Sequence, residues 1–266
     1  MKKFWGFLLV IVLMTSCGEY QSLLKSNDYN LVYKKAIEYY NKGDYQRAMN
    51  LLDGVRSVFV GQAKAQNIAY YRAFCSYNMK DYQIASDLFK QFIQTYPESS
   101  FAEECLYMMG FCDYKASPKP RLDQQVTEKA IREFQLYLSR YPYSMRKDKV
   151  NTYMDEMRDK LSYKAYLSAK NYYLREHYKA AVISLQNCLK DYPGSKYREE
   201  IMYMLFVSKY QMAVNSVEDK KVERYNNARE EYYYFADEYP NSRYAADVKK
   251  MYEDIEAYLD NYKFED

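Results

Sequence analysis

Residues 81–99 read DYQIASDLFKQFIQTYPES, and the pattern of this stretch recurs along the chain. Ala85 stands twelve residues before Pro97, Phe89 stands eight residues before it, and Ser99 follows two residues after it. A small side chain lets two helix backbones approach, and a ring one turn later fills the groove beside it. A proline then ends the helix. The stretch therefore predicts the second helix of a repeated helix pair.

The same marks occur four times, with a fifth, degenerate copy. The sequence Tyr-Pro-x-Ser stands at residues 96–99, 141–144, 192–195 and 239–242, and each serine is expected to cap the helix that follows. The alanines twelve residues before the prolines are Ala85, Ala130, Ala181 and Ala228. The degenerate copy has Ala48 but carries Val60 in place of proline. Small residues also recur in the first helix of a pair, at Ala36, Ala73, Gly110 and Ala169.

Insertions vary the spacing of these copies. Successive alanines are 37, 45, 51 and 47 residues apart, so the later copies carry 8, 14 and 10 extra residues. The first insertion, residues 117–124, has the composition of a loop, and the third lies around residues 215–224. The second falls within residues 144–176 and contains no Gly or Pro. Since 14 residues add about 21 Å of helix, we expect one long helix there, projecting beyond the repeats; a helix broken in two is the alternative.

These offsets resemble the tetratricopeptide repeat. The expected fold is an all-α, tetratricopeptide-type α-solenoid of five helix pairs, with a long central helix and a C-terminal capping helix ending near Tyr262. Repeats 1–3 would occupy residues 29–143. The long helix, repeats 4–5 and the capping helix would occupy residues 144–266.

The amino terminus has the pattern of an export signal. Lys2 and Lys3 precede an apolar run, residues 4–14, which is shorter than the ~20 residues of a membrane-spanning helix. We interpret residues 1–16 as a signal peptide and residues 17–28 as a lipidated tether. Cys17 resembles the lipid-bearing cysteine of a bacterial lipobox, although Met14 replaces its usual leucine. By resemblance to sorting rules, Gly18 favours the outer membrane, and the absence of an acidic cluster favours the periplasmic face.

Composition argues against several functional classes. The formal charge of +3 is well mixed along the chain, so no nucleic-acid partner is expected. His177 is the one histidine and stands where Asp44 and Asp81 stand in other repeats, so we interpret it as a turn residue. We predict no catalytic residue, no metal site and no cofactor. The remaining cysteines, predicted to be structural and unpaired, are Cys75, Cys105, Cys112 and Cys188.

Several segments together resemble the BamD family, the lipoproteins of the outer-membrane β-barrel assembly machinery. Besides the lipobox and the repeats, they are residues 20–26 (YQSLLKS), 39–45 (YYNKGDY) and 192–200 (YPGSKYREE), and the loop with Ser117-Pro118 and Leu122-Asp123-Gln124. The resemblance implies a scaffold at the outer membrane, facing the periplasm. Its implied partners are the barrel-forming insertase, other assembly lipoproteins and unfolded β-barrel proteins, with the membrane reached through the lipid anchor.

The residues add a hypothesis about where partners bind. First-helix tyrosines and amides suit an extended peptide, because amides bond to its backbone and rings contact its apolar side chains. The candidate groove residues are Tyr33, Tyr40, Asn41, Asn67, Tyr70, Tyr77 and Asn78. The candidate insertase contact is Arg198, Glu199, Lys220 and Lys221, with plain solvated surface as the alternative.

Two other functions remain open from the sequence. One is a cell-envelope tetratricopeptide lipoprotein that scaffolds peptidoglycan-synthesis or division factors. The other is a glycan-binding lipoprotein of the SusD type, which is disfavoured because those chains are much longer and include a non-helical region.

Overall fold

The computed structural model describes residues 18–262, and all regular structure in that range is helical. Helical residues 18–24 precede eleven longer helices. These are α1 (Tyr29–Asn41), α2 (Tyr45–Val55), α3 (Ala63–Asn78), α4 (Tyr82–Thr95), α5 (Ala102–Ala116), α6 (Gln125–Arg140), α7 (Lys147–Leu174), α8 (Tyr178–Asp191), α9 (Arg198–Val214), α10 (Glu218–Glu238) and α11 (Ala245–Tyr262). The predicted fold class is confirmed: five helix pairs, from α1/α2 to α9/α10, are followed by the capping helix α11.

Small side chains lie at the helix crossings, as predicted. The four alanines that mark the second helices, Ala85, Ala130, Ala181 and Ala228, are fully buried. In the first helix of the third pair, a Cβ added to Gly110 would stand 2.9 Å from Cδ1 of Phe134. Phe134 is the ring of that pair's second helix, and it is itself fully buried. A small residue at this position therefore decides how closely α5 and α6 can pack.

The Tyr-Pro-x-Ser turns end the second helices but start the next helices later than expected. The helices α4, α6, α8 and α10 each stop at the residue before the tyrosine. The serine hydroxyls of Ser99 and Ser195 accept hydrogen bonds from the N–H groups of Phe101 and Tyr197, two residues on. Phe101 and Tyr197 are themselves the N-cap residues of α5 and α9. The serines thus order the turn before the helix, and the prediction that they are the N-caps was wrong by two residues.

The insertions appear as one long helix, one loop and one lengthened helix. The helix α7 runs without interruption for 28 residues, so the alternative of a broken helix is excluded. Residues 117–124 connect α5 to α6 without helical structure, and the third insertion lengthens α10 to 21 residues. His177 is the N-cap residue of α8, which confirms that it belongs to a turn.

The described chain forms two compact units, each with its own buried residues. The first comprises residues 18–118 and 123–157, and the second comprises residues 119–122 and 158–262, so α7 contributes to both. In the first unit, one cluster surrounds Leu51 and Leu52, and another surrounds Phe89 and Phe134. In the second unit, one cluster surrounds Leu185 and another surrounds Phe206 and Phe235.

Tyrosine hydroxyls bond to carboxylates on neighbouring helices within each unit. In the first unit, Tyr70 donates to Glu104 over 2.9 Å and Tyr137 donates to Glu103 over 3.0 Å. In the second, Tyr203 donates to Asp247 over 3.0 Å. Burial, together with the adjacent carboxylate, raises the pKa of Tyr70 and of Tyr203. These rings therefore pack between helices as neutral phenols, with their hydroxyls bonded to a neighbouring helix.

Candidate peptide-binding site

Eight aromatic side chains on the first helices of successive pairs form a continuous series of ring contacts in the first unit. We call this series the aromatic row: Tyr40 on α1, Tyr71, Tyr70, Phe74 and Tyr77 on α3, Phe111 and Tyr114 on α5, and Tyr153 on α7. Centroid distances between neighbours in the row range from 4.4 Å for Tyr114–Tyr153 to 6.4 Å for Phe74–Tyr77. All eight side chains are partly exposed. The row can therefore contact a ligand while remaining packed on its own helices.

The repeat itself produces this arrangement. Tyr40, Tyr77 and Tyr114 are separated by 37 residues, the basal repeat length, and so are Phe74 and Phe111. Residues at the same position of successive repeats lie side by side when the helix pairs stack. A single residue type at one repeat position thus becomes a row of rings across α1, α3 and α5.

Polar groups border the aromatic row. The side-chain amide of Asn78 donates to the Phe74 carbonyl oxygen over 2.8 Å and to the Tyr40 hydroxyl over 3.5 Å. Tyr114 donates its hydroxyl proton to Glu156 on α7. Burial raises the pKa of Tyr40 to about 12, so its hydroxyl is neutral at physiological pH. These groups leave amide and carboxylate oxygens beside the rings, which are partners for the backbone N–H groups of an extended peptide.

Cations lie over one end of the row. The Lys115 ammonium stands 5.5 Å from the centroid of Phe111, and the Lys149 ammonium stands 5.9 Å from that of Tyr153. Their separation from the ring faces is within the range of cation–π attraction. The α5–α7 end of the row thus carries charges of both signs, because the Glu156 carboxylate accepts from Tyr114 at the same end.

The structure brings together only part of the predicted groove. Tyr40, Tyr70 and Tyr77 belong to the aromatic row, and Asn78 borders it. Three others are not members: Tyr33 contacts Phe59 at 6.1 Å, Asn41 is exposed at the end of α1, and Asn67 lies one turn before Tyr70 on α3.

Five members of the row were missing from the prediction. They are Tyr71, Phe74, Phe111, Tyr114 and Tyr153. The signal for Tyr114 was present in the sequence, since it follows Tyr77 by one repeat length. Tyr153 could not be found in this way, because it lies on α7, whose insertion interrupts the repeat spacing.

The four residues of the predicted insertase contact do not form one cluster. Arg198 and Glu199 lie at the start of α9, whereas Lys220 and Lys221 lie at the start of α10, next to the end of α9. The two pairs are separated by the length of α9, whose 17 residues span about 25 Å. Arg198 forms two bonds of 2.6 and 2.9 Å with Glu238, and Glu199 accepts from Ser242 over 2.7 Å. Lys220 is the one member of the four that is exposed.

Metal binding and membrane crossing find no support in residues 18–262. That part of the chain contains no group of three or more His, Cys, Asp or Glu side chains arranged to hold a metal ion. None of its helices combines the length and the apolar character needed to span a bilayer. Residues 1–17, with the predicted signal peptide and Cys17, lie outside the described range.

Stacked helix pairs with small residues at their crossings define a tetratricopeptide-type repeat protein. A family model described as "YfiO: Outer membrane lipoprotein" matches residues 25–200 and 164–265. The chain therefore belongs to the YfiO family of outer membrane lipoproteins. The match confirms the resemblance to BamD that the sequence motifs indicated.

Several solved structures of repeat proteins are similar to this chain. The TPR2AB domain of yeast Sti1, in a pHSP90 complex, is 14% identical with a TM-score of 0.39, covering 86% of this chain and 98% of its own. A TPR repeats protein from Bacteroides fragilis is 13% identical with a TM-score of 0.42, covering 87% and 99%. The human IFIT1 dimer with PPP-AAAA is 17% identical with a TM-score of 0.31, covering 94% and 63%. Comparison with curated proteins found no match.

Proposed function

We propose that this outer membrane lipoprotein is a non-catalytic scaffold of β-barrel protein assembly that faces the periplasm. It binds the barrel-forming insertase and other assembly lipoproteins, and it receives unfolded β-barrel proteins on its amino-terminal repeats. The observation that carries the proposal is the family match, which extends over the helical part of the chain. A lipid on Cys17 would hold the protein at the membrane, since a multi-chain anchor is effectively permanent.

The aromatic row supports a role in receiving unfolded chains. Strands of outer-membrane barrels alternate apolar and polar residues, with aromatic residues near the membrane interfaces. In extended form, every second side chain of such a strand points to the same side, at intervals of about 6.6 Å. The contacts from Phe74 to Tyr77 and from Tyr77 to Phe111, at 6.4 and 6.2 Å, are close to this interval. Successive apolar side chains of one strand can therefore rest on successive rings.

Site-specific crosslinking in intact cells tests the client part of the proposal. A photoreactive residue at Tyr77 or Tyr114 is expected to capture newly exported β-barrel proteins. The matched control is Leu136, which is exposed on the second helix α6. Equal capture from Leu136, or capture of no barrel protein from either tyrosine, would contradict the proposal.

Purification in mild detergent tests the partner part. The tagged chain should retain a large barrel insertase, and the Lys220→Glu variant should retain less of it than the control Lys90→Glu, in which an exposed lysine of α4 is reversed. Recovery of peptidoglycan synthases or division proteins in place of the insertase would instead support the alternative envelope scaffold.

A further inference from the structure

The four Tyr-Pro-x-Ser turns have the same backbone but not the same side chains. In each, the serine N–H donates to the tyrosine carbonyl oxygen, over 3.0 to 3.2 Å. The residue after proline is Glu98, Gly194 or Asn241 in three of the turns, and it is Tyr143 in the fourth. The residue after serine is Ser100, Lys196 or Arg243 in those three turns, and Met145 in the fourth. Since the turn forms without apolar side chains at these positions, folding does not explain Tyr143 and Met145.

Both of these side chains are held out in water. Their exposed fractions are 97% for Tyr143 and 102% for Met145, against 74% for the next most exposed large apolar side chain in the described residues, Val60. Singly scattered apolar residues are normal on a protein surface, whereas apolar side chains exposed together mark sites that contact a partner or a membrane. The turn between α6 and α7 is therefore a candidate contact surface.

The same turn has a net positive charge, whereas each of its three counterparts has a net negative charge. We call residues 140–149 the basic turn; it contains Arg140, Arg146, Lys147 and Lys149 against a single acid, Asp148. Arg140, Lys147 and Lys149 are exposed. The corresponding stretch after repeat 2, residues 95–104, contains three glutamates and no lysine or arginine. Charge and apolar exposure thus coincide in one of four otherwise equivalent turns.

We propose that the basic turn rests on the anionic surface of a phospholipid membrane. In this arrangement Tyr143 and Met145 enter the interface between headgroups and acyl chains, and the exposed Arg140, Lys147 and Lys149 remain at the phosphates. Arg146 is instead held over the Tyr107 ring, 3.9 Å from Glu104. Tyrosine favours this interfacial depth, and lysine extends its charged end to the headgroups while its stem lies against apolar groups. A membrane is favoured over an acidic protein because this chain belongs to a family of outer membrane lipoproteins.

The contact would act as a second attachment to the membrane. Each basic residue near an anionic surface contributes about fivefold to binding, so the turn alone binds weakly and reversibly. When a lipid anchor already holds the chain, the second contact becomes intramolecular and its effective concentration rises to about the millimolar range. The basic turn would then set which side of the first unit meets the bilayer.

A fluorescent probe in the full-length chain tests this. The chain is purified from membranes and reconstituted in vesicles of phosphatidylglycerol and phosphatidylcholine that contain a lipid-attached quencher. Met145→Cys carries an environment-sensitive dye, and Ser100→Cys, at the equivalent position of the repeat 2 turn, is the matched control. The native cysteines of the described chain are buried and leave the dye at the introduced site.

We expect stronger quenching and a blue-shifted emission at position 145, and neither at position 100. Lys147→Gln combined with Lys149→Gln should weaken the docked state about fivefold for each lysine removed. Tyr143→Asn should also weaken membrane docking. It should not disturb the turn, because Asn241 occupies the same position in the repeat 5 turn.

Two results would overturn the proposal. One is equal quenching at positions 145 and 100, or quenching at 145 that is the same in vesicles of phosphatidylcholine alone. The other is a blue-shifted emission of the dye at position 145 in cell envelopes, where the lipid-attached quencher does not reduce its fluorescence. The second result would assign the basic turn to a protein partner.

Discussion

Glu133 on α6 is an acidic residue in a buried environment. It is 9% exposed, and its Oε2 is the one buried side-chain N or O atom in residues 18–262 without a hydrogen-bond partner. Nearby, the Lys129 ammonium stands 2.9 Å from Asp113 Oδ2 and 3.7 Å from Glu133 Oε1. Ser86 also donates to Asp113 over 2.9 Å. Lys129 thus pairs mainly with Asp113, and a negative charge on Glu133 would be only weakly compensated.

This environment makes stability depend on pH. Burial, and then the adjacent Asp113, raise the pKa of Glu133 to about 8 from its ordinary 4.5. Between these values the folded state holds a proton that the unfolded state has released, so the free energy of unfolding falls as the pH rises. The loss should be on the order of 1 kcal/mol or more across this window.

Urea unfolding of Glu133→Gln at a series of pH values tests this prediction. Glutamine keeps the shape but does not titrate, so the variant should gain stability relative to the native chain as the pH rises from 4.5 toward 8. Glu128→Gln, an exposed change on the same helix, should follow the native curve. Parallel curves for the native chain and Glu133→Gln would show that Glu133 is ionised in the folded protein.

At this scale the sequence predicts residue types but not environments. It identified the buried alanines, because a spacing is enough to define a helix crossing. It did not identify the Asp113–Lys129–Glu133 group, because charged residues at helical spacing are usually solvated. Their burial results from the packing of α4, α5 and α6, which no local pattern reveals.

At the scale of helices, the crossing of α5 and α6 depends on Gly110. A methyl group added there would overlap the Phe134 ring, which is fully buried. Gly110→Ala should therefore destabilise the protein by about 1–3 kcal/mol, the usual cost of overpacking a core. Chemical denaturation measures the change.

Gly54 provides the matched control for this prediction. It lies in α2, and an added Cβ would meet no atom within 4 Å. Because alanine favours a helix over glycine, Gly54→Ala should raise stability by up to about 1 kcal/mol. A Gly110→Ala variant as stable as Gly54→Ala would mean that the two helices can separate at little cost.

Whole helices were the level at which the sequence predicted best. The absence of Gly and Pro from the second insertion was enough to predict the uninterrupted α7, because no residue there breaks a helix. The starts of α5 and α9 were displaced by two residues, since a serine can order a turn as well as begin a helix. Three of the eight members of the aromatic row were predicted, and Tyr153 could not be, since α7 lies outside the repeat spacing.

At the scale of the whole chain, the four described cysteines are spread over both units and are all buried and unpaired. Burial raises the pKa of Cys75 and Cys105 to about 12 and that of Cys188 to about 11. Since the thiolate is the reactive form, these thiols should resist alkylation in the folded protein.

Mass spectrometry after brief alkylation measures this directly. We expect none of the four to be modified under native conditions and all four in urea, with Ser100→Cys as an exposed thiol that reacts in both. Native labelling of Cys75 or Cys105 would indicate that the first unit opens readily, and labelling of Cys188 would indicate the same for the second.

The tyrosine–carboxylate hydrogen bonds between neighbouring helices can be followed by ultraviolet absorbance. Phenols change their ultraviolet absorbance when they lose a proton, and a freely solvated phenol does so at ordinary alkalinity. Those that donate to an acid, such as Tyr70 and Tyr203, must first give up that bond and so ionise later. In an alkaline titration the ultraviolet absorbance should therefore rise in two stages. The second stage would report the loss of the hydrogen bonds that join neighbouring helices.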